Sequence, residues 1–505
     1  MTRVAFWAKN WPLLSLRKKH LAALIAWALV GPLAGCTTNP ATGDRMLSFL
    51  SPEEEARIGA REHQKLVPAF GGTINDTELQ RYVTSVATLL ARTSELPNLQ
   101  FTFTVLNTKM INAFALPGGY IYITRGLLAL ANSEAEIAGV LAHEIGHVTA
   151  RHAAQRHSQS VFAGIGAAAV GILSGSGELA NLVGSGLGIY LRSYSREQEF
   201  EADKLGIRYL KRAGFNSRAM AGFLANLRAK TRLTARLAGK SPDKADETNI
   251  MSTHPRTVER VERAARAAGG STVPNPINGR DIYLRKISGM IYGDTPEQGF
   301  VRGRKFLHPH MRIRFHVPKG FRLINQPNQV VAKGPGGVGV IFTAASADGR
   351  TPYDYLVNVW ARKLRLNKLD SASINGMPSA SGAARTRSRR GIHNLRFTAI
   401  RQDKRMYRFI FIGPRGSGQK VYNASRTTTT SFRVVSHAEA HGWQPYRIRL
   451  VRVRRGDTVA RIARRMAVDR FAEEHFRTIN GLGTGDQLTV GQMVKIVTSE
   501  RRKAS

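Results

Sequence analysis

Apolar residues recur at helical spacing over the first third of the chain and give way to strand-like alternation later. Residues 52–66 follow Ser51 and open with three glutamates, and residues 76–92 keep one apolar face, so both stretches are predicted helices. Phe101, Phe103 and Val105 alternate with polar residues, and 113–124 reads as two strands broken at Pro117-Gly118-Gly119. A further helix starts at Ser133, with Glu136 completing a capping box and a stripe of Ile137, Val140, Leu141, Ile145 and Val148. Another covers 195–213 and stops at Gly214. Residues 161–191 are apolar but interrupted by glycines and by Glu178, which favours two short helices over a membrane span.

Strand-like runs dominate from 306 to 435, with a predicted helix over 352–366, so this part is an α+β unit. Arg385, Arg387, Arg389 and Arg390 punctuate a Ser/Gly/Ala-rich stretch expected as a solvated loop. Residues 446–497 parse as strand, helix, helix, strand. The expected division is 1–35 leader, 36–275 mainly helical domain with a small sheet, 276–304 linker, 305–435 α+β domain and 446–498 βααβ module.

Length agrees with such a division, since 505 residues correspond to about three domains. The leader is basic (Arg3, Lys9, Arg17, Lys18, Lys19) and its apolar run, 21–34, is short for a bilayer but suited to a signal peptide. It ends Leu33-Ala34-Gly35-Cys36, which resembles a bacterial lipobox. The resemblance implies acylation of Cys36 and, with Thr37 behind it, an outer-membrane lipoprotein facing the periplasm. Cys36 is the sole cysteine, which excludes a disulfide framework and leaves any metal to His and carboxylate ligands. The net charge of +40 is unevenly spread: residues 301–505 hold 40 basic and 11 acidic residues, a net of +29. In an envelope setting that charge points to anionic lipid, lipopolysaccharide or peptidoglycan, and nucleic acid is not expected.

His143-Glu144-Ile145-Gly146-His147 lies inside the helix that starts at Ser133. Positions i and i+4 share a helix face, so both imidazoles can bind one zinc ion with Glu144 beside them as general base. Catalytic zinc takes a third protein ligand. Glu199 and Asp203, four apart on a predicted helix, can supply it, one binding metal and the other holding a ligand histidine. Glu197 and Glu201 carry no role in this reading, and His63, His152 and His157 are expected to be ordinary histidines.

These blocks resemble the prenyl-protease-related zinc metallopeptidases, in particular their periplasmic BepA-like lipoprotein branch. The resemblance covers roughly residues 40–270 and implies one zinc per chain, with Glu199 as third ligand and Asp203 supporting it. It also implies that Asn112, Ala113, Phe114 and Ala115 lie on a strand beside the cleft, where substrate adds by main-chain hydrogen bonds. Thr253-His254-Pro255 with Arg260 resembles the loop of a switch-like fourth histidine; His254 either closes the zinc or, with Arg260, assists at the oxyanion. Gly456-Asp457-Thr458, Asn480-Gly481-Leu482 and Gly491-Gln492 resemble a LysM peptidoglycan-binding module. The expected function is a zinc metalloendopeptidase acting on misfolded or maturing envelope proteins. The alternative is an occluded, non-proteolytic assembly factor or chaperone bound to peptidoglycan.

Overall fold

The computed structural model describes residues 36–162, 193–239, 241–242, 254, 258–269, 273–388 and 391–499. The leader and the glycine-rich stretch from 163 onward lie outside the described residues. Among the described residues no helix is long and apolar enough to cross a membrane.

The first domain opens on a hairpin, β1 (Cys36–Thr38) paired with β2 (Arg45–Leu47), followed by helices α1 (Pro52–Ala69) and α2 (Thr77–Arg92). The α1 capping box at Ser51 and Glu54 forms as the sequence predicts. Strands β3 (Thr102–Leu106), β4 (Ala113–Leu116) and β5 (Tyr120–Thr124) make a sheet of order β3-β5-β4, with β4 at its edge. Gly118, at φ 75°, supplies the left-handed turn between β4 and β5. Helices α3 (Arg125–Leu130), α4 (Glu134–Thr149), α5 (His152–Phe162), α6 (Arg196–Arg212), α7 (Arg218–Leu237) and α8 (Val258–Ala268) complete the domain.

One apolar stripe understates α4, which is buried on almost every side, Ala135, Ala138, Leu141 and Ala142 included. It packs against α2, α6, α7 and β4. Two glycines set its distance from α6. A Cβ on Gly206 would lie 3.0 Å from His143 N, and one on Gly146 would lie 3.1 Å from Ala202 O. A Cβ at either position would push the two backbones apart by a few tenths of an ångström, and their close approach aligns His143 and His147 with Glu199 and Asp203.

Residues 276–304, expected as a linker, are folded instead. Helix α9 (Arg280–Ile287) buries Tyr283, Leu284 and Ile287 in the main core, where the Tyr283 hydroxyl donates to Leu128 O at 2.5 Å. Strand β6 (Ile291–Tyr292) then pairs with the C-terminal module.

The α+β domain holds a four-stranded sheet, β17-β9-β8-β7, built from β7 (Phe300–Arg302), β8 (Lys305–His308), β9 (Ile313–His316) and β17 (Arg433–Val434). Beside it stands a seven-stranded antiparallel sheet of order β10-β11-β12-β16-β15-β14-β13. Its strands are β10 (Arg322–Gln326), β11 (Gln329–Lys333), β12 (Gly339–Ser346), β13 (Asn367–Ile374), β14 (Met377–Ser388), β15 (Gly391–Gln402) and β16 (Arg405–Pro414), with helix α10 (Gly418–Thr430) packed on β15 and β16.

Two expectations change in this domain. The helix expected over 352–366 forms but is shorter: an α turn, Pro352–Asp354, continues as a π-helical stretch, Tyr355–Trp360, and ends at Ala361. The arginine-punctuated stretch is strand β14 as far as Ser388, while Arg389 and Arg390 lie outside the described residues. Its inward positions are Ala380, Gly382 and Ala384, small because leucines 356, 366 and 369 press on them. Arg385 and Arg387 are exposed.

The C-terminal module follows the expected order: β18 (Tyr446–Arg452), α11 (Val459–Ala463), α12 (Ala472–Asn480) and β19 (Met493–Ser499), with β18 and β19 antiparallel. It is joined to the first domain by a buried lysine. Lys495 Nζ donates to the carbonyls of Ala129 (3.0 Å), Leu130 (3.4 Å) and Ala131 (2.5 Å) at the end of α3, and burial pulls its pKa down to about 7. Lys495→Met keeps the apolar stem but strands the carbonyls of Ala129 and Ala131, while Leu130 O keeps the amides of Asn132 and Asn226. We expect urea unfolding to lose about 3 kcal/mol, a buried unmet acceptor costing about 1–3 kcal/mol. Unfolding unchanged from wild type would mean that the module is held some other way.

Candidate metal centre

Helix α4 places His143 and His147 one turn apart, with their Nε2 atoms 3.1 Å from each other. Glu199, on the first turns of α6, brings Oε2 to 3.6 Å from His143 Nε2 and Oε1 to 3.7 Å from His147 Nε2. All three side chains are buried. Donors at about 2.0–2.1 Å from a tetrahedral zinc stand about 3.3 Å apart, so the spacing fits that ion. His254 completes the cluster: its Nδ1 lies 2.8 Å from Glu199 Oε1 and 3.2 Å from His143 Nε2. Donor atoms of the four residues lie within 4.8 Å of one another.

Glu144 is fully buried beside this group, and among the described residues neither carboxylate oxygen has a hydrogen-bond partner. Its Oε1 lies 3.3 Å from His254 Nε2. Burial raises its carboxyl pKa, against the pull of His254 and His143. An unsatisfied buried carboxylate costs free energy that a cation or its water relieves, which fits a metal site and not a structural core.

Behind the donors, His143 Nδ1 lies 2.9 Å from Asp203 Oδ1. Arg260 grips Asp203 with both edges, Nε to Oδ2 and Nη2 to Oδ1 at 2.7 Å each, and its Nη1 contacts Glu199 Oε2. Burial favours the neutral Asp203 carboxyl, but Arg260 and His143 outweigh it and hold its pKa at about 2. Both Glu199 and Asp203 therefore stay ionised, and the guanidinium of Arg260 is engaged with them.

The structure thus brings His143, Glu144, His147, Glu199, Asp203, His254 and Arg260 together. Asn112 precedes β4, and Ala113, Phe114 and Ala115 lie on it; each whole residue, main chain included, is at most 2% exposed, so this edge is covered in the structure. The Cys36 backbone pairs with Leu47.

Three residues of the centre escaped the sequence reading. His152 is no ordinary histidine: it is fully buried, with Nδ1 2.8 Å from His147 Nδ1 and Nε2 3.2 Å from Glu201 Oε2. Glu201, taken as an acid without a role, is the second. The third is Tyr194, whose ring stacks on His147 with centroids 3.8 Å apart and has the Arg156 guanidinium carbon 3.5 Å from its own centroid. Burial pushes its hydroxyl up to about 12. The His147–His152 spacing of five was a usable signal; Tyr194 offered none.

Residues 75–268 match the model of peptidase family M48. This part of the chain is an M48 peptidase domain. The β-barrel assembly-enhancing protease of Escherichia coli (strain K12) is 30% identical over 285 residues, covering 54% of this chain and 56% of that protein. The mitochondrial metalloendopeptidase OMA1 of Arabidopsis thaliana is 35% identical over 129 residues, 25% of this chain and 26% of that protein. The chain thus spans about half the length of the curated E. coli relative it matches. The M48 match contains every donor of the cluster and ends before α9, so the α+β and βααβ parts lie beyond the M48 domain.

Proposed function

We propose that the protein is a zinc-dependent endopeptidase of the bacterial envelope that hydrolyses misfolded or maturing envelope proteins. The observation that carries this reading is the buried convergence of His143, His147 and Glu199 beside a Glu144 whose oxygens make no hydrogen bond among the described residues. A zinc ion held by the first three would polarise the scissile carbonyl and acidify the attacking water. Glu144 accepts the proton of that water and returns it to the leaving amine. Asp203 keeps His143 Nε2 turned to the metal, and Arg260 positions both carboxylates. An apolar cavity lined by Val140, Met220, Phe223, Leu224 and Leu227 adjoins Glu144 and suits a substrate side chain. Main chain at Ala113–Ala115, covered in this structure, would position the substrate backbone once that edge opens. The test is direct: purified protein should contain one zinc per chain and cleave unfolded casein, with loss on chelation and recovery on zinc addition. Zinc-free protein that cleaves casein, or zinc-loaded protein that does not, would reject the proposal.

A second reading rests on His254, which fills the remaining side of the cluster. In it the protein serves mainly as an assembly factor with an occluded centre. The relative named as a β-barrel assembly-enhancing protease is compatible with either reading.

Location follows from the ends. An acylated Cys36 would hold the protein on the outer membrane, and a LysM-like module would bind peptidoglycan. The basic half presents two grooves suited to anionic envelope polymers. One is lined by Arg365, Lys368, Arg385 and Arg396, the other by Arg452, Arg454, Arg455, Arg461 and Arg465. Cell fractionation separates the contributions. Cys36→Ser is expected to release the protein from membranes, while sacculus binding persists at low salt and is lost as salt rises. Retention of Cys36→Ser on membranes would remove the lipid anchor from this account.

A further inference from the structure

Glu201 can only accept hydrogen bonds, and that fixes the protons along a line of four side chains. Its Oε2, 3.2 Å from His152 Nε2, obliges that nitrogen to carry hydrogen. In a neutral His152 the Nδ1 is then an acceptor, so the N–H between the two rings at 2.8 Å belongs to His147 Nδ1. His147 is left with a lone pair on Nε2, the atom that faces Glu199 and His143. The far end is fixed as well. Asn39 Oδ1 accepts from Ala41 N at 2.9 Å, which orients the amide, and Asn39 Nδ2 donates to Glu201 Oε1 at 2.7 Å. The loop holding Asn39 is closed by Asn39 N to Asp44 O and Gly43 N to Asn39 O, each 2.8 Å. Asn39 is 4% exposed, only three residues from Cys36.

We propose that Asn39, Glu201 and His152 are positioning residues that set the tautomer and ring orientation of His147, making the N-terminal hairpin part of the metal centre. The inference rests on the metal-site reading above. A carboxylate–histidine–metal arrangement ordinarily ends at one carboxylate. Here a second imidazole extends it across to α6 and onward to the hairpin that begins at Cys36. Asn39 touches neither metal donor nor substrate, and acts through Glu201.

Asn39→Asp keeps the acceptor for Ala41 and the shape of the side chain, but removes the donor and sets a carboxylate against Glu201. The full mature chain would be titrated with zinc against a chromophoric chelator. We expect the zinc dissociation constant to rise about tenfold, the lower end of the 10–100-fold range for such supporting groups, with the melting temperature of the zinc-free protein nearly unchanged. Glu201→Gln, which keeps an acceptor for His152, should weaken zinc less than Glu201→Leu. Nitrogen-15 shifts of His147 in the zinc-loaded protein should report Nδ1–H in wild type and a mixed state in Asn39→Asp. Equal zinc affinity in wild type and Asn39→Asp overturns the inference while leaving the metal site standing. A wild type that binds no zinc overturns the site reading, and this inference with it.

Discussion

Glu144→Gln is expected to lower the rate of casein cleavage by about 1,000-fold while zinc content stays at one per chain, since a positioned general base contributes about 10²–10⁴-fold. Gln matches Glu in shape and leaves His143, His147 and Glu199 untouched. Among the described residues the carboxylate it replaces makes no hydrogen bond, and what Gln gives up is the charge that faces His254 Nε2 at 3.3 Å. What disappears is the ability to take a proton from water in a dry pocket where burial already raises the carboxyl's proton affinity. Initial rates with elemental analysis on the same sample check both halves. A variant within tenfold of wild type would remove Glu144 from the chemistry.

His254→Ala should do the opposite and raise turnover. In the structure His254 stands where water and substrate need to approach the donors, 2.8 Å from Glu199 and 3.3 Å from Glu144. Burial disfavours its charged form, but the two glutamates outweigh that and raise its pKa, so the ring is held in place by charge. If the open form is about 0.1–10% of molecules, removing the plug increases activity about tenfold or more. Steady-state rates of wild type and His254→Ala at equal zinc loading decide the matter. An unchanged or lower rate would make His254 an assisting group, and the second reading of the protein would lose its support.

How much of this was legible in the sequence depends on how local each signal is. The α4 donors sit four apart on one helix, and α6 carries its acids at the same spacing, so both halves of the centre were visible. Their convergence was also written locally, in Gly146 and Gly206, but only the packed helices show what those glycines permit. The Asn39–Glu201–His152 line crosses three segments, so no single window contains it. Strand β14 was hidden by its own packing: Ala380, Gly382 and Ala384 are inward positions without the bulk that marks a strand. Helix α9 had Tyr283, Leu284 and Ile287 on one side, yet its eight residues between glycines read as a connection.

The ammonium of Lys495 has a temporal consequence. It meets Ala131 across 364 positions of chain, so a ribosome finishes the M48 domain long before the group that satisfies its α3 carbonyls exists. Until then the nascent chain has an open seam beside its principal core. Distant pairings form late because closing a long loop is entropically costly. Products terminated before Lys495 would therefore lack this closure, tying maturation of the metal-centre domain to translation of the βααβ module.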